Sequence, residues 1–224
     1  MRLPRFRALL GLLPAFLLAL SPVAQARAQA PLGGGSPLNT TAGSRCTAGF
    51  AATAHDTGYL ILSDSCARAG STVHSGGKVV GIVEQTPFPP DGTLVLRVTN
   101  TDDWRLTGSI PPTDSRVTIA GSTEAPIGAS VCRYGVTTGW KCGTVQAKNV
   151  TIDFPEGPLT GLTRTSVCAE PGDIGAPFVS GTQAQGVLVA ATGTCSGGHG
   201  SSYFLPINPI LAATGLTLVT GALR

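Results

Sequence analysis

The sequence predicts an all-β protein made of two β-barrels with a short helix at the C-terminus. Two observations carry this reading. From residue 47 to residue 206, short runs rich in Val, Ile, Leu and Thr alternate with Gly, Pro, Asn and Asp clusters, while apolar residues almost never recur at helical spacing. The runs also fall into two groups, which implies two barrels.

Taken in order, residues 31–44 begin Pro31-Leu32-Gly33-Gly34-Gly35-Ser36-Pro37 and lack periodicity, so they are expected to form an unstructured linker. Residues 47–54 and 59–62 flank His55-Asp56-Thr57-Gly58 and read as a hairpin whose loop takes its glycine for the positive-φ position. Residues 79–84 and 94–98 are further strands, separated by the loop Pro87-Phe88-Pro89-Pro90-Asp91-Gly92. The second group comprises residues 130–134, 143–151, 161–165, 177–180, 185–191 and 202–205. The end differs in kind: Asn208 suits an N-cap, Pro209 the first helical position, Ile210-Leu211-Ala212-Ala213 a packed face and Gly215 the C-terminus. The first barrel is therefore placed at residues 45–120 and the second, with the helix, at residues 121–224.

Composition narrows the class. The 224 residues are 42% hydrophobic but only 5% aromatic, so the cores must be aliphatic, and 12% charged residues exclude a disordered polyelectrolyte. The net charge of +3 is misleading, because Arg2, Arg5, Arg7 and Arg27 fall in the first thirty residues, where no acid lies. From residue 31 onward eleven basic residues face twelve acidic ones, which gives no basic patch for nucleic acid.

Residues 1–30 join that basic start to an apolar run from Ala8 to Leu20 and to A-x-A patterns between Ala24 and Ala30, the pattern of a secretory signal peptide cleaved near Ala26 to Ala30. The run is shorter than the ~20 residues a membrane span needs, and Pro14 interrupts it. The mature chain is expected to be secreted, soluble, free of any membrane segment and without a long pro-segment. In an oxidising destination the six cysteines are better read as three disulfides than as metal ligands, with all fifteen pairings open on spacing alone. No metal or other cofactor is called for.

At Cys168-Ala169-Glu170-Pro171-Gly172-Asp173-Ile174-Gly175-Ala176-Pro177 the chain resembles the nucleophile loop of chymotrypsin-like serine peptidases, G-D-S-G-G-P. Gly121-Ser122-Thr123-Glu124, Thr137-Thr138-Gly139-Trp140, Gly161-Leu162-Thr163-Arg164-Thr165 and Tyr203-Phe204-Leu205-Pro206 narrow the likeness to the streptogrisin branch of secreted bacterial peptidases, over about Cys46 to Leu218. The resemblance implies two six-stranded antiparallel barrels with a cleft between them. It also implies sequential disulfides Cys46/Cys66, Cys132/Cys142 and Cys168/Cys195.

The positions that carry the family's chemistry hold other side chains. Ile174 stands where the nucleophilic serine belongs, and a butyl group has no lone pair for a carbonyl. Leu62-Ser63-Asp64-Ser65-Cys66 replaces T-A-G-H-C, which puts Ser65 at the base; its hydroxyl cannot act as one near neutral pH. Gly92 falls at the orienting carboxylate, with Asp91 one residue out of register and read as a solvated loop acid. Val189-Ala190-Ala191 replaces the substrate-pairing S-G-G and should narrow the primary pocket. What survives is backbone, in the oxyanion-type amides of Gly172 and Ile174.

His55, His74 and His199 read as solvated loop imidazoles, with His199 the best candidate for a relocated base acting on Ser63, Ser65 or Ser196. Asp173 is expected to be ion-paired or hydrogen-bonded within its loop, and Asp64 to be a turn acid. The motifs at Asn39 and Asn149 match the N-glycosylation pattern but are irrelevant in a bacterial host. The expectation is a monomeric, secreted serine peptidase homologue without catalysis that binds an extended peptide or a peptidase inhibitor by strand addition along Val189–Ala191. The rival readings are a serine endopeptidase with relocated groups and a secreted domain with no demand on its cleft.

Overall fold

A computed structural model describes residues 28–41, 43–84, 92–197 and 200–221. The first half contains β1 (Ala30–Leu32), β2 (Pro37–Thr40), β3 (Arg45–Thr47), β4 (Phe50–Ala54) and β5 (Thr57–Ser63), then a 3-10 turn at Asp64–Cys66. It continues with β6 (Thr72–Ser75), β7 (Lys78–Glu84), β8 (Thr93–Val98) and β9 (Trp104–Leu106). The short pair β10 (Ser109–Ile110) and β11 (Val117–Thr118) leads to the second half. There β12 (Ser130–Gly135), β13 (Gly139–Phe154), β14 (Gly157–Thr165), β15 (Pro177–Ser180), β16 (Gln183–Thr192) and β17 (Ser201–Pro206) precede α1 (Ile207–Thr214) and β18 (Thr217–Leu218).

The fold is chymotrypsin-like, with two barrel-like sheets. The second closes fully in the order β12-β13-β14-β17-β16-β15, while the first runs to eight strands, β18-β4-β5-β8-β7-β6-β2-β3. It gains β18 from the far end of the chain and β2 from the segment expected to be a linker, so its boundaries exceed residues 45–120. That segment is ordered because Leu32 and Leu38 are buried to 0% and 1% exposure, and β1 pairs in parallel with β9. Strands of three or four residues are too short to show a period, so only tertiary pairing reveals them. The backbone N–H of Ala30 donates to the Asp103 carbonyl at 2.7 Å, tying down the start of β1; residues 1–27, most of the segment expected to be a signal peptide, lie outside the described residues.

Alternation along each strand sorts the apolar residues into three cores. Leu60 and Leu62 of β5 fill the first barrel with Val80, Val83 and Leu96. Ile61 faces the other way and joins Phe50, Val187, Val189, Leu205 and Ile210 in a cluster drawn from both sheets. Val131, Val145, Val167, Leu188, Phe178 and Phe204 fill the second barrel, the two phenyl rings 4.8 Å apart. Each fully buried Leu, Ile or Phe contributes about 1.5–3 kcal/mol by leaving water.

Two local expectations change. The first hairpin turns on His55 and Asp56 alone, since Ala54 already pairs with Thr57, and the positive φ of 51° falls on His55. Gly58 lies within β5, where a Cβ would come 2.7 Å from Leu106 Cδ1 and the leucine end would have to move, so this glycine serves strand packing and not the turn. At the helix, Pro206 occupies the cap without a side-chain bond, while the Asn208 amide donates to the Ser122 carbonyl at 3.0 Å. The C-terminal reading holds: Gly215 has φ 68° and its N–H donates to Leu211 O.

The disulfides pair in sequence, Cys46 with Cys66, Cys132 with Cys142 and Cys168 with Cys195, closing separations of 20, 10 and 27 residues. The three bridges differ in their surroundings. Cys46 and Cys66 are buried in the first-barrel core, whereas Cys142 is exposed on β13, directly opposite the half-buried Cys132 of β12. Strand alternation explains the difference, because Val131 points into the barrel and its neighbour Cys132 therefore points out, taking Cys142 with it. The Cys132–Cys142 bridge thus ties two strands that the β12–β13 ladder already joins, lies outside the second-barrel core and closes the shortest loop of the three.

Removing the longest-range bridge, by Cys168→Ala with Cys195→Ala, is expected to lower stability by about 2–4 kcal/mol. That exceeds the effect expected of any single substitution at Ser65 or Ile174, and thermal melts of the variants side by side check the ranking.

Candidate functional site

The loop Gly172–Gly175 is held from beneath by a buried carboxylate. Asp173 is fully buried, and its oxygens accept from Thr137 N at 2.9 Å, Thr138 N at 3.2 Å, Thr138 Oγ1 at 2.8 Å and Glu170 N at 3.0 Å. Arg133 Nη2, also fully buried, donates to Asp173 Oδ2 at 3.0 Å, and Arg133 Nε donates to the Cys168 carbonyl at 2.9 Å. Burial lowers the pKa of the guanidinium, while the negative charges of Asp173 and Glu170 and the hydrogen bond to Asp173 act in the opposite direction. A guanidinium stays protonated through this.

From above, the first barrel clamps the same loop. Thr47 N–H donates to the Ile174 carbonyl at 2.9 Å and Thr47 Oγ1 to the Gly172 carbonyl at 2.9 Å, while Gly175 N–H donates to Leu188 O at 2.9 Å. Gly175 has φ +88°, and a Cβ there would run into the Thr47 carbonyl, so this turn depends on glycine. Among the described residues neither Gly172 N–H nor Ile174 N–H has an acceptor. Two amides two residues apart in a tight turn can receive an oxyanion or a peptide carbonyl. The Ile174 side chain, half-buried, packs against both the first-barrel core and the second-barrel core.

Ser65 is exposed on the 3-10 turn, next to Cys66, whose Sγ lies 3.6 Å from the Ile174 carbonyl. Gly92 is buried and has φ +138°; a Cβ there would come 3.2 Å from Leu159 Cδ1 and 3.3 Å from Leu205 Cδ2. Asp64 joins the two segments: its Oδ2 accepts from Gly92 N–H at 2.6 Å, its own N–H donates to Gly92 O at 3.2 Å, and its Oδ1 lies 3.4 Å from Ser65 Oγ. The turn acid is thus a long-range tie across 28 residues, which a local pattern cannot reveal. Ser65, Gly92 and Ile174 share one locus at the meeting of the two sheets.

A cleft of about 350 Å³ opens there, bounded by Asp64, Ser65 and Arg68 from the first barrel and by Phe154, Leu159 and Val189 from the second. Phe154, Glu156 and Arg68 are cleft residues that sequence reasoning missed; the tip of the β13–β14 hairpin reads from the sequence as an ordinary turn. Val189 is buried, Ala190 half-buried and Ala191 exposed. Up to Leu188 the strand β16 is bonded on both sides, but from Ala190 to Thr192 it pairs, among the described residues, only with β17, which leaves one edge open there.

Of the other candidates, those among the described residues do not line this cleft. His55 is exposed at its hairpin and His74 sits on β6 opposite Val79 and Asn39; among the described residues neither hydrogen-bonds a serine. Ser63 is buried opposite Thr93, and Ser196 Oγ lies 3.2 Å from Thr194 Oγ1. His199 and Asp91 lie outside the described residues. No group of three or more His, Cys, Asp and Glu among the described residues is placed to hold a metal.

The Trypsin family profile matches residues 70–213. Streptogrisin-C of Streptomyces griseus is 44% identical over 200 residues, covering 88% of this chain and 43% of that protein, so the chain spans less than half its length. Glutamyl endopeptidase 2 of the same organism is 34% identical over 84% of this chain and 98% of its own length. Among solved structures, Thermobifida fusca Protease A superposes with a TM-score of 0.77 at 40% identity, covering 86% of this chain and 100% of that one. Nocardiopsis Protease gives a TM-score of 0.76 at 42% identity, covering 85% of this chain and 100% of its own. With its two sheets, sequential disulfides and Asp173-anchored loop, the chain belongs to the trypsin family of serine-type peptidases and has streptogrisins among its homologues.

Proposed function

We propose that this chain is a non-catalytic member of its family, secreted, that holds an extended peptide or a peptidase inhibitor in the cleft. One observation carries the reading: Ile174, Ser65 and Gly92 stand where the family's motifs call for nucleophile, base and orienting acid. None of the three supplies the function of its position. Peptide binding is supported by the open edge of β16 beyond Leu188 and by the two uncommitted amides of Gly172 and Ile174. Main-chain pairing at such an edge supplies affinity, and neighbouring pockets supply selectivity.

Export is supported by the basic, apolar and A-x-A pattern of residues 1–30 and by the three disulfides.

The rival reading is a peptidase with relocated groups, favoured by the relatives, which are named as proteases and endopeptidases. The experiment that decides is cleavage of a diverse unlabelled peptide library by the purified mature protein, read by mass spectrometry against a blank lacking the protein. Cutting at the level of the blank is the expected result. Specific cuts that track the protein through purification would overturn the non-catalytic reading.

A further inference from the structure

The cleft at Ser65 has a chemistry that main-chain pairing alone does not need. A serine stands where the family's imidazole would fill space, and the opening of about 350 Å³ has an apolar wall of Leu159, Val189 and Phe154. Its rim is charged, with Asp64 and Glu156 against Arg68. The carboxylates outnumber the guanidinium, and burial further favours Asp64, whereas Glu156, like Arg68, is exposed. Asp64 is half-buried, so its field is weakly screened, whereas Arg68 is exposed and faces water and salt. The two bonds that Asp64 accepts, from Gly92 N–H and Ser65 Oγ, leave lone pairs free, and among the described residues no cation pairs with Asp64 or Glu156.

The open edge of β16 starts beside Val189, which also lines the cleft. A peptide strand added to that edge presents alternate side chains to the cleft, because successive residues of a strand point to opposite faces. A long aliphatic stem suits the wall of Leu159 and Val189, a cation passing Phe154 gains from the ring face, and its charged end reaches the Asp64 carboxylate. We infer that the cleft selects a lysine or arginine side chain on the extended peptide paired with the Val189–Ala191 edge. The inference rests on the peptide-binding reading above.

The test titrates the mature protein with fluorescein-labelled, C-amidated peptides of alanine and valine that carry one variable residue, Lys, Arg, Leu or Glu, and reads fluorescence anisotropy. The Lys and Arg peptides are expected to bind about tenfold or more tighter than the Leu and Glu peptides. Asp64→Asn keeps an acceptor for Gly92 N–H and removes the charge, so it should keep the wild-type melting temperature and abolish most of that preference. Equal affinities for all four peptides, a preference for Glu, or a Lys preference that Asp64→Asn leaves intact would each overturn the inference while peptide binding itself stands. Absence of binding by every peptide to the folded protein would overturn both.

Discussion

Replacing Arg133 with methionine is expected to lower folding stability by about 3–5 kcal/mol, because it leaves the Asp173 carboxylate charged, buried and without its counter-ion. Both side chains are at 0% exposure, so water does not reach the orphaned carboxylate. The double variant Arg133→Met with Asp173→Asn should recover a large part of the loss, since removing both charges removes the uncompensated one. Urea unfolding of the two variants and wild type measures the difference through the midpoints at unchanged slope. A loss below about 1 kcal/mol for the single variant would mean that the amides of Thr137, Thr138 and Glu170 suffice to hold the carboxylate. The pair also sets the loop geometry: a Cβ at Gly135 would collide with Asp173 Oδ1, so the strand β12 has no room for a side chain where it passes the carboxylate. The amides of Gly172 and Ile174 flank Asp173 in sequence, so the single variant should also weaken binding at the cleft.

Much of this fold is legible in the sequence because long strands carry their own period and their turns carry glycine and proline. The β16 strand at Gln183–Thr192 and the closing αL residue Gly215 follow from residues a few positions apart. The early segment does not, since Leu32 and Leu38 are single apolar residues in strands of three and four, ordered only by partners far along the chain. The loop of Asp173 is readable as an anchored turn, yet its main cation, Arg133, is 40 residues away on β12. Asp64 is the clearest miss of this kind: beside Ser63 and Ser65 it looks like a turn acid, and only the approach of Gly92 N–H to 2.6 Å gives it a role at the cleft. Phe154 and Glu156 escape for a different reason, since a hairpin tip gives no local sign of which cleft it overhangs.

Restoring the three family residues together, Ser65→His, Gly92→Asp and Ile174→Ser, is expected to leave peptide hydrolysis at the wild-type background and to destabilise the protein. Gly92 has φ +138°, a region that costs a residue with a Cβ about 1–3 kcal/mol, and the added atoms meet Leu159 and Leu205. Removing Ile174 forfeits apolar contact with both barrel cores, worth about 1–2 kcal/mol for a half-buried side chain. A second obstacle is electrostatic. Asp64 already holds the Gly92 N–H, so a carboxylate at 92 would stand beside another, and two such charges in one site oppose joint ionisation. Val189 adds a third, since a buried isopropyl group offers an orienting carboxylate no hydroxyl donor. Adding Asp64→Gly and Val189→Ser to the triple variant removes the second and third obstacles, and hydrolysis of a chromogenic peptide should then rise roughly 10²- to 10⁴-fold over the triple variant, the contribution of a positioned general acid–base. Full activity in the triple variant without these two changes would show that Asp64 and Val189 do not shape the site, and the inactivity would then belong to Ser65, Gly92 and Ile174 alone.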